Sequence, residues 1–266
     1  MRLRAVILDW AGTLVDFGSR APVTALQCVF ANAEVPVTIA EARESMGLAK
    51  KEHIRSILRT PRVREAWVSR HGGEPADAAV DQLYAAFIPS QTQVLENHSR
   101  LIPGVAAAVD RMRSRGLRIG TTTGYTRGML DYLLERAAAQ GFIPDCALCP
   151  DDVPAGRPLP WMCYLTAIRL AAYPMHALVK IGDTPADVEE GRNAGMWTIG
   201  VTRTGNEAGV TEEEWELLSD DGRELLLNRA EQRLDEAGAH YVAPSLVECD
   251  SILDQIEARL ACGEKP

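Results

Sequence analysis

At 266 residues, with 46% hydrophobic and 24% charged residues, the chain has the composition of a globular protein with a full core, in one large or two moderate domains. The formal net charge of −9 argues against nucleic acid and anionic membrane as partners, although a metal and a few local cations can reverse the field inside one cleft. No stretch supplies the ~18 apolar residues of a membrane span and no leader pattern precedes the first strand. The six cysteines are too scattered for a disulfide framework, so the cytoplasm is the expected compartment.

Leu3 to Leu8 is a short apolar run, the pattern of a strand buried on both faces of a parallel sheet. Asp9 follows it directly, where an open α/β sheet holds its ligands. Ala11, Gly12 and Thr13 are small enough for the backbone to approach an anion. An isolated Asp in that place also serves as a helix cap, and only the rest of the chain decides between the two roles. Helical spacing follows over Ala21–Asn32, and Thr38 with Glu41 forms a capping box for a helix running towards Met46. After Gly47 the apolar face resumes over Lys50–Arg59, then over Val63–Arg70 and Ala76–Leu95. No strand is expected between residues 20 and 98, which are predicted to be a helical insert between the first two strands.

Pro103-Gly104 marks the return to the core. Helix Val105–Arg115 precedes strand Leu117–Thr122, helix Arg127–Gln140 precedes strand Cys146–Cys149, and helix Trp161–Ala172 precedes strand Ala177–Ile181. A helix to Ala194 leads to a fifth strand, Thr198–Val201. Thr211–Arg259 is expected to be mostly helical, with its many Glu on a solvated face. Cys146 and Cys149 form a C-x-x-C inside an apolar run and are expected to be buried thiols. Asn97-His98-Ser99 matches a glycosylation acceptor by spelling only. The alternation specifies α/β architecture: a Rossmann-like, doubly wound parallel sheet as the core (1–19 and 99–266, discontinuous) with an inserted helical domain (20–98).

Four polar groups fall at the expected carboxyl edge: Asp9, Thr123-Gly124, Arg157 and Asp183, after strands one to four. Together they fit one phosphoryl site with a carboxylate nucleophile, a hydroxyl and amide pair, a cation and a metal-binding carboxylate. Mg²⁺ takes hard oxygen ligands, which Asp9, a backbone carbonyl at Ala11 and Asp183 supply. In this order the four motifs resemble the haloacid dehalogenase-like superfamily. Its phosphatases carry a second Asp two residues after the nucleophile as general acid and base, and here that place is Ala11. An ordinary phosphomonoesterase or phosphomutase would need that acid. A phosphate-binding module without catalysis is the alternative from another class, but the chain has neither a Walker A nor a G-x-G-x-x-G sequence.

The segments DWAGTLVD, SMGLAK, TTTGYT, DDVPAGRPLPWMCY and GDTPADVEEGRNAGMWT resemble the phosphonoacetaldehyde hydrolase (phosphonatase) family over nearly the whole chain. The resemblance implies a cap lysine, Lys50, that forms a Schiff base with the substrate aldehyde; His53, one helical turn later on a similar face, is expected to move protons. The resemblance also implies Asp9 as nucleophile, Thr123, Gly124 and Arg157 at the substrate, Asp183 at Mg²⁺, and a homodimer joined through cap helices. Asp187 is expected to orient the metal's waters or Arg157. Tyr125 and Met46 are each pocket residues or packing. The residues alone do not separate Lys50 from Lys51 or Thr122 from Thr123; the family spacing selects Lys50 and Thr123.

Overall fold

The apolar run after Arg4 forms β1 (Ala5–Leu8), whose four side chains are all buried. Val6 and Leu8 enter an apolar cluster of 50 residues on one face, and Ala5 and Ile7 a cluster of 13 on the other, as the strand period of two requires. The computed structural model describes all 266 residues. Five helices follow β1 without a strand: α1 (Arg20–Asn32), α2 (Ile39–Arg43), α3 (Lys50–Arg59), α4 (Pro61–His71) and α5 (Asp77–Leu95). In chain order the remainder is α6 (Val105–Ser114), β2 (Arg118–Thr122), α7 (Arg127–Ala138), β3 (Cys146–Leu148), α8 (Trp161–Arg169), β4 (Leu178–Gly182), α9 (Pro185–Asn193) and β5 (Trp197–Val201). It closes with α10 (Glu212–Leu217), α11 (Asp220–Glu236), β6 (Tyr241–Ala243) and α12 (Asp250–Ala261).

The sheet order is β3-β2-β1-β4-β5-β6, and every pair is parallel. This is the doubly wound order, in which the direction of winding reverses between β1 and β4. Leu8 stands opposite Ile181 across that boundary, so Asp9 and Asp183 leave neighbouring strands at the crevice where such sheets take their ligands.

Two differences from the sequence-based expectation are local. The Thr38–Glu41 capping box forms, with Glu41 N–H on Thr38 Oγ1 at 3.2 Å, but α2 stops at Arg43 and turns replace its continuation to Met46. Gly47 in that turn has φ +89°, and a Cβ there would lie 2.3 Å from Thr184 Oγ1 at the head of α9. The chain must therefore leave the helix early to bring this glycine against the core. The second difference is a sixth strand, β6, inside the region expected to be helical. It adds three residues beside β5, with Gly200 opposite Val242.

Helix α5 packs against α1 and α3, and the larger apolar cluster runs without a break from Leu26, Ile54 and Phe87 of these helices to Leu8 and Ile181 of the sheet. All six cysteines are free. No helix is long and apolar enough to cross a membrane.

Candidate active site

A small cavity sits above the β1/β4 crevice. Asp9, Ala11, Thr123, Gly124, Arg157 and Asp183 line it from the sheet side, and Met46, Gly47 and Lys50 from the helical side. Its free volume is about 20 Å³, room for one water. Of the residues singled out in the sequence, His53 and Asp187 stand outside this lining.

The charges behind the cavity form one buried network. Arg157, 4% exposed, reaches Asp9 Oδ1 at 2.8 Å and Asp187 Oδ1 at 2.9 Å through Nη1, while Nε reaches Glu190 Oε2 at 3.0 Å. Its Nη2 donates to the Thr122 carbonyl at 2.7 Å and to Thr122 Oγ1 at 2.9 Å. Thr122 thus backs the arginine, and Thr123 is the threonine on the cavity wall. Lys180 Nζ adds a second buried cation, 2.7 Å from Asp187 Oδ1 and 3.6 Å from Glu190 Oε2. A buried guanidinium with all three nitrogens hydrogen-bonded is held rigidly.

These neighbours separate the three carboxyls. Burial, followed by the negative charge of Asp187, raises Asp9 to about 6. Burial and the charges of Asp9 and Asp187 push Asp183 well above the usual carboxylate range. Asp187 falls below that range: burial opposes its ionisation, but the Arg157 and Lys180 cations outweigh that cost. Asp187 is therefore compensated by two cations, whereas Asp9 has Arg157 alone and Asp183 has no cation in contact and meets the charge of Asp9.

Lys50 opens the first turn of α3 and is 5% exposed. Its Nζ lies 5.2 Å from the centre of the Tyr125 ring. Burial lowers its pKa to about 8, only partly offset by the charge of Asp9, and the positive end of α3 acts in the same direction. Lys51 points the other way, exposed and 2.5 Å from Asp81 Oδ1. His53 is fully buried, and its Nε2–H donates to the Ala42 carbonyl at 2.9 Å. Burial, then the charge of Lys50, lowers His53 to about 3, so it is a neutral ring tying α3 to α2. Its Nδ1 has no partner.

The donor set fits a hard divalent cation. Oxygens of Asp9, Asp183 and Asp187 lie within 4.8 Å of one another, and Asp183 Oδ1 is buried with no hydrogen-bond partner. An orphaned carboxylate oxygen beside a second buried carboxylate is costly in a protein interior unless a cation lies between them. Ala11 is on the cavity wall, half-buried, and the wall's only carboxyls are Asp9 and Asp183.

Sequence reasoning missed Lys180, Glu190 and Thr184. Lys180 had a signal, a lone charge within the buried run LVKIG, where only a paired lysine is stable. Glu190 lies three residues beyond Asp187 and shares its helix face. Thr184 Oγ1 accepts from the Asp187 N–H at 3.3 Å, capping α9, and donates to Asp187 Oδ2 at 2.5 Å. Its position just before a helix-opening Pro was the legible sign.

Residues 3–195 match the haloacid dehalogenase-like hydrolase family. Over 264 residues the chain is 47% identical to the phosphonoacetaldehyde hydrolase of Nitratidesulfovibrio vulgaris, covering 99% of this chain and 94% of that protein. Over 257 residues it is 44% identical to the phosphonoacetaldehyde hydrolase of Bacillus cytotoxicus, covering 97% of each. The crystal structure of a phosphonoacetaldehyde hydrolase-like protein from Oleispira antarctica superposes with a TM-score of 0.98 at 42% identity, covering all of this chain and 96% of that one. Likeness of this extent, over core and helical segment alike, means that the chain belongs to the haloacid dehalogenase-like hydrolases and, within them, to the phosphonoacetaldehyde hydrolase family.

Proposed function

We propose that this chain cleaves the C–P bond of phosphonoacetaldehyde to give acetaldehyde and phosphate, with Lys50 as the amine and Asp9 as the nucleophile at phosphorus. The observation that carries this reading is a buried lysine sharing a cavity with a buried carboxylate, where Ala11 stands in the place of a second acid. Breaking a C–P bond leaves an electron pair on carbon, and no carboxylic acid near phosphorus stabilises it. A protonated imine on the adjacent carbon does, because it takes the pair and becomes an enamine.

Neutral Lys50 Nζ adds to the aldehyde carbon, and the carbinolamine takes a proton from solvent and loses water to give the protonated imine. Asp9 then attacks phosphorus, the C–P electrons pass into the enamine, and an aspartyl phosphate forms. Thr123, the Gly124 amide and Arg157 hold the phosphonyl oxygens. One water releases phosphate from Asp9. The enamine takes a proton on carbon, and a second water frees acetaldehyde and Lys50. Asp9, Asp183 and the Ala11 carbonyl are the groups to hold Mg²⁺, which when bound would offset the charge of the transferring group. In this reading Asp187 orients Arg157, Met46 bounds the substrate space, and His53 supports Lys50 through α2. Residues 20–98 act as a cap on a core of residues 1–19 and 99–266, in a cytoplasmic homodimer joined through the cap.

Incubation with phosphonoacetaldehyde and borohydride, followed by peptide mapping, tests the chemistry. The expected adduct is on Lys50, is lost in Lys50→Ala and survives Lys51→Ala. No adduct on either lysine, with phosphate still released from simple monoesters, would overturn the reading.

A further inference from the structure

Arg43, the last residue of α2, is a half-buried guanidinium with no carboxylate in ion-pair contact. Its hydrogen bonds go to carbonyl-type oxygens instead. Nη1 donates to the Gly18 carbonyl, the Asn206 carbonyl and Asn206 Oδ1, each at 2.9 Å, and Nη2 to the Gly209 carbonyl at 3.1 Å. Asn206 Nδ2 returns a longer bond of 3.4 Å to the Arg43 carbonyl. Burial and the neighbouring Arg20 hold the guanidinium at about 10, so it stays charged through the neutral range.

The far side of this contact is the carboxylate site. Asn206 is 1% exposed, and its backbone N–H donates to Asp183 Oδ2 at 2.7 Å. That bond holds one carboxylate oxygen and leaves the other, Oδ1, free and buried. The loop after β5 has little room to move. Thr204 Oγ1 donates to the Gly12 carbonyl at 2.6 Å, the Gly18 N–H donates to the Thr204 carbonyl at 2.7 Å, and a Cβ on Gly12 would lie 2.2 Å from Asp183 Oδ2.

We propose that Arg43 is a positioning residue for Asp183: by gripping Asn206 it makes the aim of this carboxylate depend on α2 being seated against the core. The proposal rests on the reading that Asp183 helps to hold a divalent cation. When α2 lifts away, the four acceptors lose their donor and the Asn206 amide loses its backing. The hold on Asp183 Oδ2 then rests on the Gly12 and Thr204 contacts alone, its aim is less fixed, and cation affinity falls. Linkage makes the effect reciprocal, so a bound cation favours the seated position of α2 by the same factor.

Calorimetric titration of Mg²⁺ into the full chain without substrate, with hydrogen exchange followed over α2 and α3, tests this for the parent, Arg43→Met and Arg43→Lys. Loss of a group supporting a ligand typically weakens metal binding 10–100-fold, so Arg43→Met is expected to raise the Mg²⁺ Kd about tenfold. Arg43→Lys keeps the charge but supplies one point donor, and is expected to be intermediate; it also covers a failure of the methionine variant to fold. Mg²⁺ is expected to slow exchange in α2 of the parent and not of Arg43→Met. A Kd within about twofold of the parent in both variants, with that protection retained, would overturn the proposal. Absence of saturable Mg²⁺ binding to the parent would overturn both the metal reading and the proposal. Weakened Mg²⁺ binding in Arg43→Met, together with a parent protein that releases no phosphate from phosphonoacetaldehyde, would support the coupling while rejecting the substrate reading.

Discussion

Burial moves the Lys50 amine from its ordinary 10.5 to about 8, a displacement on the order of 3 kcal/mol. Below pH 8 the amine is protonated in both folded and unfolded chains, and the folded state carries the full cost of burying the charge. Between about 8 and 10.5 the unfolded chain keeps a proton that the folded chain has released, so stability rises with pH through that window. Lys50→Met is therefore expected to raise the melting temperature at pH 7 while abolishing reductive trapping, and a lowered melting temperature would contradict the burial cost. Activity follows the same titration. Where imine formation limits kcat/KM, it is expected to climb about tenfold per pH unit below 8 and to level off above. A flat profile from about pH 6 to 8 would show that the free amine is not the reacting form. Asp9 and Asp183 were legible in the sequence because each closes a strand-like run, Asp9 directly after Leu8 and Asp183 after Gly182. Lys180 showed only as a lone charge in a buried run, because its partners Asp187 and Glu190 become neighbours only when α9 folds back over β4.

At the scale of elements, β4 and α9 carry a charge cluster that the rest of the sheet has no way to replace. Lys180 shares the strand face of Leu178, which belongs to the smaller apolar cluster, and it is 1% exposed. Removing one partner from such a buried set typically costs about 3–5 kcal/mol. Lys180→Met is accordingly expected to shift the urea midpoint of unfolding downward by that equivalent, and an unchanged midpoint would mean that Arg157 alone neutralises Asp187. Long helices and the buried strands were read from periodicity nearly to the residue, since their apolar spacing repeats over several turns or fills a whole strand. β6 was not, because Tyr241-Val242-Ala243 is too short to show alternation and stands between Glu-rich helices. Only pairing with β5 makes it a strand.

Over the whole molecule, the insert and the sheet share one apolar cluster, so the division into core and cap is a matter of chain path more than of separate interiors. The large apolar side chains left exposed lie mostly elsewhere: Ile39 alone belongs to the insert, while Trp161, Ile168 and Tyr173 lie on or just beyond α8. A homodimer through the cap would thus rest on smaller or partly covered side chains. Light scattering on the eluted protein is expected to give twice the 29.0 kDa chain mass, and a monomer mass would remove the dimer from the proposal. The narrowness of the cavity has one more consequence. A phosphonate group alone has four heavy atoms, and the space beside Asp9 and Lys50 admits about one water. A bound phosphonate therefore needs more room than this form offers, and Met46, Gly47 and Lys50 on the helical side are expected to move apart from Asp9 and Asp183 when substrate binds. The same displacement would free the phosphate, so loading and release are expected to share one movement of the helical wall.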